Sequence, residues 1–263
     1  MSALVGIPIL LLVVWLGHPW FAVVVAVAAF AAAMEFYRLL PATSIPRISL
    51  FGAFSAAALV MGVYFLRGES PLLVTLAVAF SLLWVLVQGQ VEGAYLRWAG
   101  LLGGILYLGW MLSHLVSLRA LDHGLEWVAF AIFTTFAADT GAYAVGRAMG
   151  RRPMAPVISP KKTWEGAIGG FLGAVMAALA LAWFLSPATG LGLPIGYGHA
   201  LILGALVGIF AQVGDLAESL LKRSVGVKEA GAIIPGHGGI LDRLDSVIFA
   251  VVVVYYYSVW VIR

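Results

Sequence analysis

The chain has 263 residues, of which 63% are hydrophobic and 10% charged, with a formal net charge of +3 and no cysteine. A mean hydropathy of +1.05 excludes a soluble domain of this size, and apolar runs that continue without alternation exclude a β-barrel. What remains is an all-α, polytopic membrane protein, because a lipid-facing backbone must satisfy its hydrogen bonds within helices; disulfides and thiolate-bound metals are excluded with the cysteines, and so small a net charge does not call for nucleic acid.

Taken in order, residues 4–17 are a short apolar run without a basic n-region or an A-x-A cleavage site, which predicts a retained first span rather than a signal peptide. A second run covers 20–38, where Glu35 and Arg38 near its end read as an interfacial pair rather than as part of a site. Pro41 and Pro46 mark a loop, and runs 49–66 and 71–88 flank the turn Arg67-Gly-Glu69-Ser70. Further runs at 98–118, 126–147, 165–186, 199–221 and 243–262 bring the expectation to about nine transmembrane helices, each near the roughly 20 residues a bilayer requires except the first. The expected organisation is one membrane-embedded domain over 1–263, with a motif-poor helical part at 1–120 and a motif-bearing part at 121–263.

Basic residues orient these spans. With the N-terminus inside, Arg38, Arg47, Arg97, Arg147, Arg151, Arg152, Lys161, Lys162, Lys222, Arg223, Lys228 and Arg243 fall on the cytoplasmic side, and only Arg67, Arg119 and Arg263 fall outside. Small residues at spacing four (Gly166/Gly170, Gly169/Gly173, Gly204/Gly208, Gly100/Gly104) predict close helix contacts and say nothing about chemistry.

Asp139 lies inside the apolar run 126–147 and needs a partner there. A structural pair with Tyr143 or Arg147, at i+4 and i+8, stands beside a direct role in a site. In the following loop, Ser159-Pro160 reads as a helix N-cap with proline at the first helical position, placing Lys161 and Lys162 in a first turn. Two lysines oppose the helix dipole unless an anion binds, so phosphate or nucleotide binding is expected for them. Arg151 and Arg152 read as topology determinants.

The densest stretch runs from Gln212 to Ser246. It holds Asp215, Glu218, Lys222, Arg223, Lys228, Glu229, His237, Asp242, Arg243 and Asp245 between two apolar runs. On a helix, Asp215, Glu218 and Lys222 share one face, and so do Asp242 and Asp245 on a second helix starting near Leu241. Carboxylates gathered in this way repel one another, and a hard divalent cation resolves the repulsion, Mg2+ by preference when phosphates share the site. The bases and the turn Pro235-Gly-His237-Gly238-Gly239 suit an anionic ligand.

The pattern Ser219-Leu-Leu-Lys222-Arg223, Lys228-Glu229-Ala-Gly231, Ile234-Pro235-Gly-His237-Gly238-Gly239-Ile-Leu-Asp242-Arg243-Leu-Asp245 resembles the signature of the phosphatidate cytidylyltransferases. Asp139-Thr-Gly141-Ala-Tyr143 and Ser159-Pro-Lys161-Lys162-Thr163-Trp-Glu165-Gly166 extend the resemblance over roughly the C-terminal half, and Glu229 stands where that family has Asp. The resemblance implies transfer of a cytidylyl group from CTP to phosphatidate with release of pyrophosphate. It also implies Mg2+, as one or two divalent ions with a monovalent cation as a further candidate. Asp215, Asp242 and Asp245 are the expected metal ligands, with Glu218 next. Lys222, Arg223, Lys228, His237 and Arg243 are the expected catalytic phosphate contacts, and Ser159, Lys161, Lys162, Asp139, Tyr143, Gly238 and Gly239 the expected substrate contacts. Phosphatidate would enter from the bilayer, no nucleic acid is involved, and a homodimer is a candidate assembly. The expected location is a bacterial inner membrane, multi-pass, with the site facing the cytoplasm. A cation or proton-coupled carrier is the main alternative, since intramembrane acids suit one, although the Gly-His-Gly-Gly turn is not needed for a cation path. A phosphotransferase using a CDP-activated donor is a second, but its Asp-Gly and Ala-Arg motif is not found.

Overall fold

The computed structural model describes residues 12–40, 46–67, 70–186, 192–193, 195–231 and 238–262. Helices occupy the apolar runs: α1 (Trp20–Leu39), α2 (Pro46–Phe65), α3 (Pro71–Val87), α4 (Ala94–Arg119), α5 (Gly124–Met149), α6 (Trp164–Phe184), α7 (Tyr197–Ser224) and α8 (Leu241–Ile262). Seven of them are 20 to 28 residues long and apolar enough to cross a bilayer, whereas α3 has only 17 residues. The chain is therefore an all-α, multi-pass membrane protein. Most of the expected first run, 4–17, lies outside the described residues.

A short antiparallel hairpin departs from the helical pattern: β1 (Pro153–Ala155) pairs with β2 (Ser159–Thr163), with Pro153 opposite Thr163 and Ala155 opposite Ser159. This corrects one expectation. Ser159-Pro160 does not cap a helix. The cap is Thr163, whose hydroxyl accepts the Gly166 N–H at 3.1 Å, and α6 begins at Trp164 with Glu165 in its first turn. An acid in that turn suits the helix dipole, so the conflict expected from two lysines there does not arise.

The described chain divides into two compact units, one formed by residues 1–121 with 229–242, the other by 122–228 with 243–263. In the first, α1 presents an alanine-rich face of Ala22, Ala26, Ala29, Ala32 and Ala33, all buried, which lets α2 approach closely. Tyr37 is fully buried and donates its hydroxyl to the Leu101 carbonyl at 2.8 Å. Its ring fills the space that Gly52 and Gly104 leave by lacking a Cβ. A π-helical turn at Ile105–Trp110 interrupts α4, where Gly109 meets the backbone of Ala56.

In the second unit α5, α6 and α7 pack through glycine. Gly141 faces the Gly169 carbonyl, Gly173 faces Ala137, and Gly204 and Gly208 sit against Ala174, Val175 and Phe171 of α6. The expected contacts of Gly166, Gly169, Gly170, Gly173, Gly204 and Gly208 are thus present. Buried Ala138, Ala174 and Ala211 complete the seam, and the Gln212 amide spans it by donating to the Ala167 and Gly208 carbonyls at 2.9 and 2.8 Å.

Candidate active site

Four elements of the second unit bring charge together: α5 carries Asp139, β2 carries Lys162, α7 carries Asp215 and Glu218, and α8 carries Asp245 and Ser246. Lys162 Nζ lies 2.6 Å from Asp215 Oδ2, and Ser219 Oγ donates to Asp215 Oδ1 at 3.4 Å. Ser246 Oγ donates to Asp139 Oδ1 at 3.2 Å, while the Ser246 N–H donates to Asp245 Oδ1 at 2.7 Å. Gly214 allows α7 to close on the Asp245 backbone, since a Cβ there would collide with the Asp245 carbonyl. Asp139, Asp215 and Asp245 lie within electrostatic range of one another, and Asp245 also feels Glu218.

The strand separates the two lysines. Side chains alternate across a β-strand, so Lys162 turns to Asp215 and is half-buried, while Lys161 is exposed. Neither sits in a helical turn. Asp139 takes neither of the partners expected from helix spacing: Arg147 Nη1 donates to the Tyr143 hydroxyl at 2.8 Å, leaving Asp139 to Ser246.

On α7, Lys222 Nζ is 2.5 Å from Glu218 Oε2, and both side chains are buried. Arg223 donates to the Ile158 carbonyl at 3.2 Å and to the Val227 carbonyl at 3.0 Å, tying the end of α7 to the hairpin. Glu165 Oε2 accepts the N–H groups of Arg151 and Arg152 at 3.0 and 3.2 Å and so fixes the start of the hairpin. Lys228 and Arg243 are exposed, Ser159 is half-buried in β2, and Tyr143 is exposed on α5.

The rest of the signature belongs to the first unit. Asp242 Oδ2 accepts the N–H groups of Ala230 at 3.1 Å and Gly239 at 2.8 Å. Gly238 has φ +78°, and a Cβ there would press on the Asp242 carboxylate. His237 lies outside the described residues, as does the rest of 232–237.

The residue that sequence reasoning passed over is Glu35. It does not form an interfacial pair with Arg38. Its side chain is 1% exposed and accepts the N–H groups of Ile240 and Leu241, while Arg38 is exposed. The signal in the sequence is the expense of a carboxylate in a span, which the exposed Arg38 does not offset.

The donors gathered here are all oxygen, the chemistry a hard cation takes. Among the described residues no three carboxylates or histidines stand close enough to share an ion. Mg2+ commonly uses only one or two protein carboxylates together with substrate phosphates, so the donor set fits that ion.

Fold and site define a multi-pass membrane protein in which three helices and a hairpin strand bring Asp139, Asp215, Asp245 and Lys162 together. The chain belongs to the cytidylyltransferase family, whose model matches residues 1–261. It is 41% identical over 152 residues to the phosphatidate cytidylyltransferase of Bacillus subtilis (strain 168), covering 57% of this chain and 54% of that protein. The protein of the same name from Staphylococcus haemolyticus (strain JCSC1435) is 34% identical over 229 residues, 84% of each chain. That from Brucella suis biovar 1 (strain 1330) is 38% identical over 156 residues, 59% of this chain and 55% of that protein. The chain thus spans about half the length of the Bacillus and Brucella relatives it matches, and most of the Staphylococcus haemolyticus one.

Proposed function

We propose that this protein transfers the cytidylyl group of CTP to phosphatidate, giving CDP-diacylglycerol and pyrophosphate. The observation that carries the reading is the meeting of Lys162 from β2 with Asp215 from α7, beside Asp139 and Asp245, in a chain of the cytidylyltransferase family.

In the reaction a phosphate oxygen of phosphatidate attacks the α-phosphorus of CTP, and the bond from that phosphorus to the bridging oxygen of pyrophosphate breaks. A phosphomonoester has its second pKa at about 6, so the nucleophile is already largely ionised and needs no general base. The protein must neutralise charge, align attack and departure, and stabilise the leaving group. Lys162 is placed to exchange its contact with Asp215 for one with a substrate phosphate. Exposed Lys161 and Lys228 can hold the outer phosphates. Glu218 is committed to Lys222, so Asp215 and Asp245 are the residues that would hold Mg2+. When bound, the ion would draw negative charge off the phosphates. The excess of basic residues on one set of loops supports a cytoplasmic-facing site in a bacterial inner membrane.

The test uses the purified full chain in lipid with phosphatidate, radiolabelled CTP and Mg2+. Labelled lipid and released pyrophosphate are expected, both lost with EDTA and in Asp215→Asn. Folded protein that makes neither product overturns the reading, and gradient-driven flux in vesicles from the same preparation would then favour a carrier. Product that persists in EDTA would remove the metal while leaving the reaction.

A further inference from the structure

The start of α1 and the ends of α2 and α4 enclose a cavity of about 470 Å³, lined by His18, Tyr64, Phe65, Arg67 and Ser117 among others. All of these residues belong to the first compact unit. The volume falls among those of small-molecule sites, which span about 300–1,000 Å³. The His18 ring leans on Tyr64, with centroids 5.2 Å apart and planes at 31°. Both of its nitrogens are nonetheless buried without a hydrogen-bond partner, and so is the hydroxyl of Ser117, which is 4% exposed. Arg67 is exposed. Arg119 follows Ser117 by two positions on α4. Its Nε donates to the Val14 carbonyl at 3.0 Å, its guanidinium lies against Gly17, and its charge reaches His18. Among the described residues neither arginine pairs with a carboxylate.

Basic residues commonly sit at helix C-termini because the dipole favours them there, which accounts for each arginine taken singly. It does not account for the unpartnered atoms of His18 and Ser117. A serine inside a helix can donate to a carbonyl of the preceding turn, as Ser113 of the same helix does to Trp110 at 2.6 Å. Ser117 has no such partner. A buried polar atom left alone costs its full desolvation, and three of them on one cavity call for a polar ligand. Arg67 also has φ 55°, a left-handed conformation that glycine adopts at less cost, so a cation is kept there against the local preference. Burial and Arg119 favour the neutral His18 ring, which offers one N–H. A hydroxyl, an imidazole N–H and two guanidinium groups suit a tetrahedral oxyanion, phosphate above all, because guanidinium matches it in bidentate fashion.

We propose that this cavity binds a phosphate group: Ser117 and His18 donate to its oxygens, and Arg67 and Arg119 offset its charge. In a chain that crosses a bilayer, a phospholipid headgroup and free phosphate both present that chemistry. The site is built within residues 1–121 and depends neither on the Lys162–Asp215 cluster nor on cytidylyl transfer.

The test uses the full chain in detergent with isotope-labelled histidine and follows the ring nitrogen resonances at neutral pH. Those of His18 are identified by their loss in His18→Gln. Sodium phosphate, sodium chloride at equal ionic strength, and phosphatidylglycerol added to the micelles are titrated separately. Phosphate, phosphatidylglycerol or both are expected to shift the His18 nitrogens saturably, whereas chloride is not. A response to phosphatidylglycerol at far lower concentration than to phosphate assigns the site to a lipid headgroup, and a response to phosphate alone assigns it to the free anion. Arg67→Gln should raise the apparent Kd about tenfold, the share of one charge-assisted bond, and Ser117→Ala should raise it several-fold. The resonances of His114, a buried ring on α4, should keep their wild-type positions and so report that both variants are folded. His18 resonances that neither phosphate nor phosphatidylglycerol moves would overturn the proposal and leave the cavity to water. So would an equal response to chloride, or a wild-type Kd in both variants. CTP turnover is not read, so failure of the proposed reaction leaves this result standing.

Discussion

Lys161 and Lys162 are neighbours in sequence with opposite surroundings, and the difference is chemical. Lys162 pairs with Asp215 at 2.6 Å amid further acids, whereas Lys161 is exposed. A cation facing developing charge in the reaction should act on turnover, and an exposed one on ground-state binding. Lys162→Met is therefore expected to lower kcat by about a hundredfold, and Lys161→Ala to raise the apparent KM for CTP with little change in kcat. Steady-state kinetics on the two variants check this, and equal effects on both constants would show that the strand does not divide their roles. Spacing alone could not separate them, because it read both into one helical turn.

The elements were largely legible as elements. Eight of the expected apolar runs became helices because long stretches of Leu, Val, Ala and Phe admit no other backbone in a bilayer. The glycine spacing on α6 named its contacts in advance for the same kind of reason: only a missing Cβ lets two helix backbones approach so closely. A Cβ at Gly169 would meet Val145 and the Gly141 carbonyl. Gly169→Val should accordingly lower stability by about 1–3 kcal/mol through overpacking. Gly103→Ala is the control, since nothing lies within 4 Å of a Cβ there, and removing a helical glycine should be neutral or slightly stabilising. Melting curves in one detergent compare the two, and equal destabilisation would contradict the packing account. The start of α6 was misplaced because Ser-Pro is a good local cap signal, yet pairing with β1 draws Ser159–Thr163 into a strand and leaves Thr163 to cap.

At the scale of the whole molecule, the titration of a buried group between spans should be visible in stability. His18, just before α1, is held below its ordinary value of 6.5 by burial first and by the Arg119 guanidinium second. The folded state therefore favours the neutral ring. Its contribution is complete above about 6.5, where the unfolded chain is also neutral, and is lost as the pH falls toward the lowered value. The melting temperature should decline on going from neutral to acid pH, and less steeply in His18→Gln; an unchanged slope in the variant would assign the decline to other groups. Composition by itself determined that this chain spans a membrane many times as helices, because burying apolar surface in lipid depends on what residues are, not on where they meet. The signature likewise marked its acids and bases as candidates for one site. Tertiary structure alone decided which partners those groups take: Asp139 with Ser246 rather than Tyr143, Glu218 with Lys222, Lys162 apart from Lys161, and Glu35 with backbone more than two hundred residues away. Hydrogen bonds and ion pairs are short-ranged and directional, so they are settled by which helix ends come within about 3 Å of each other, a distance that spacing along one chain does not contain.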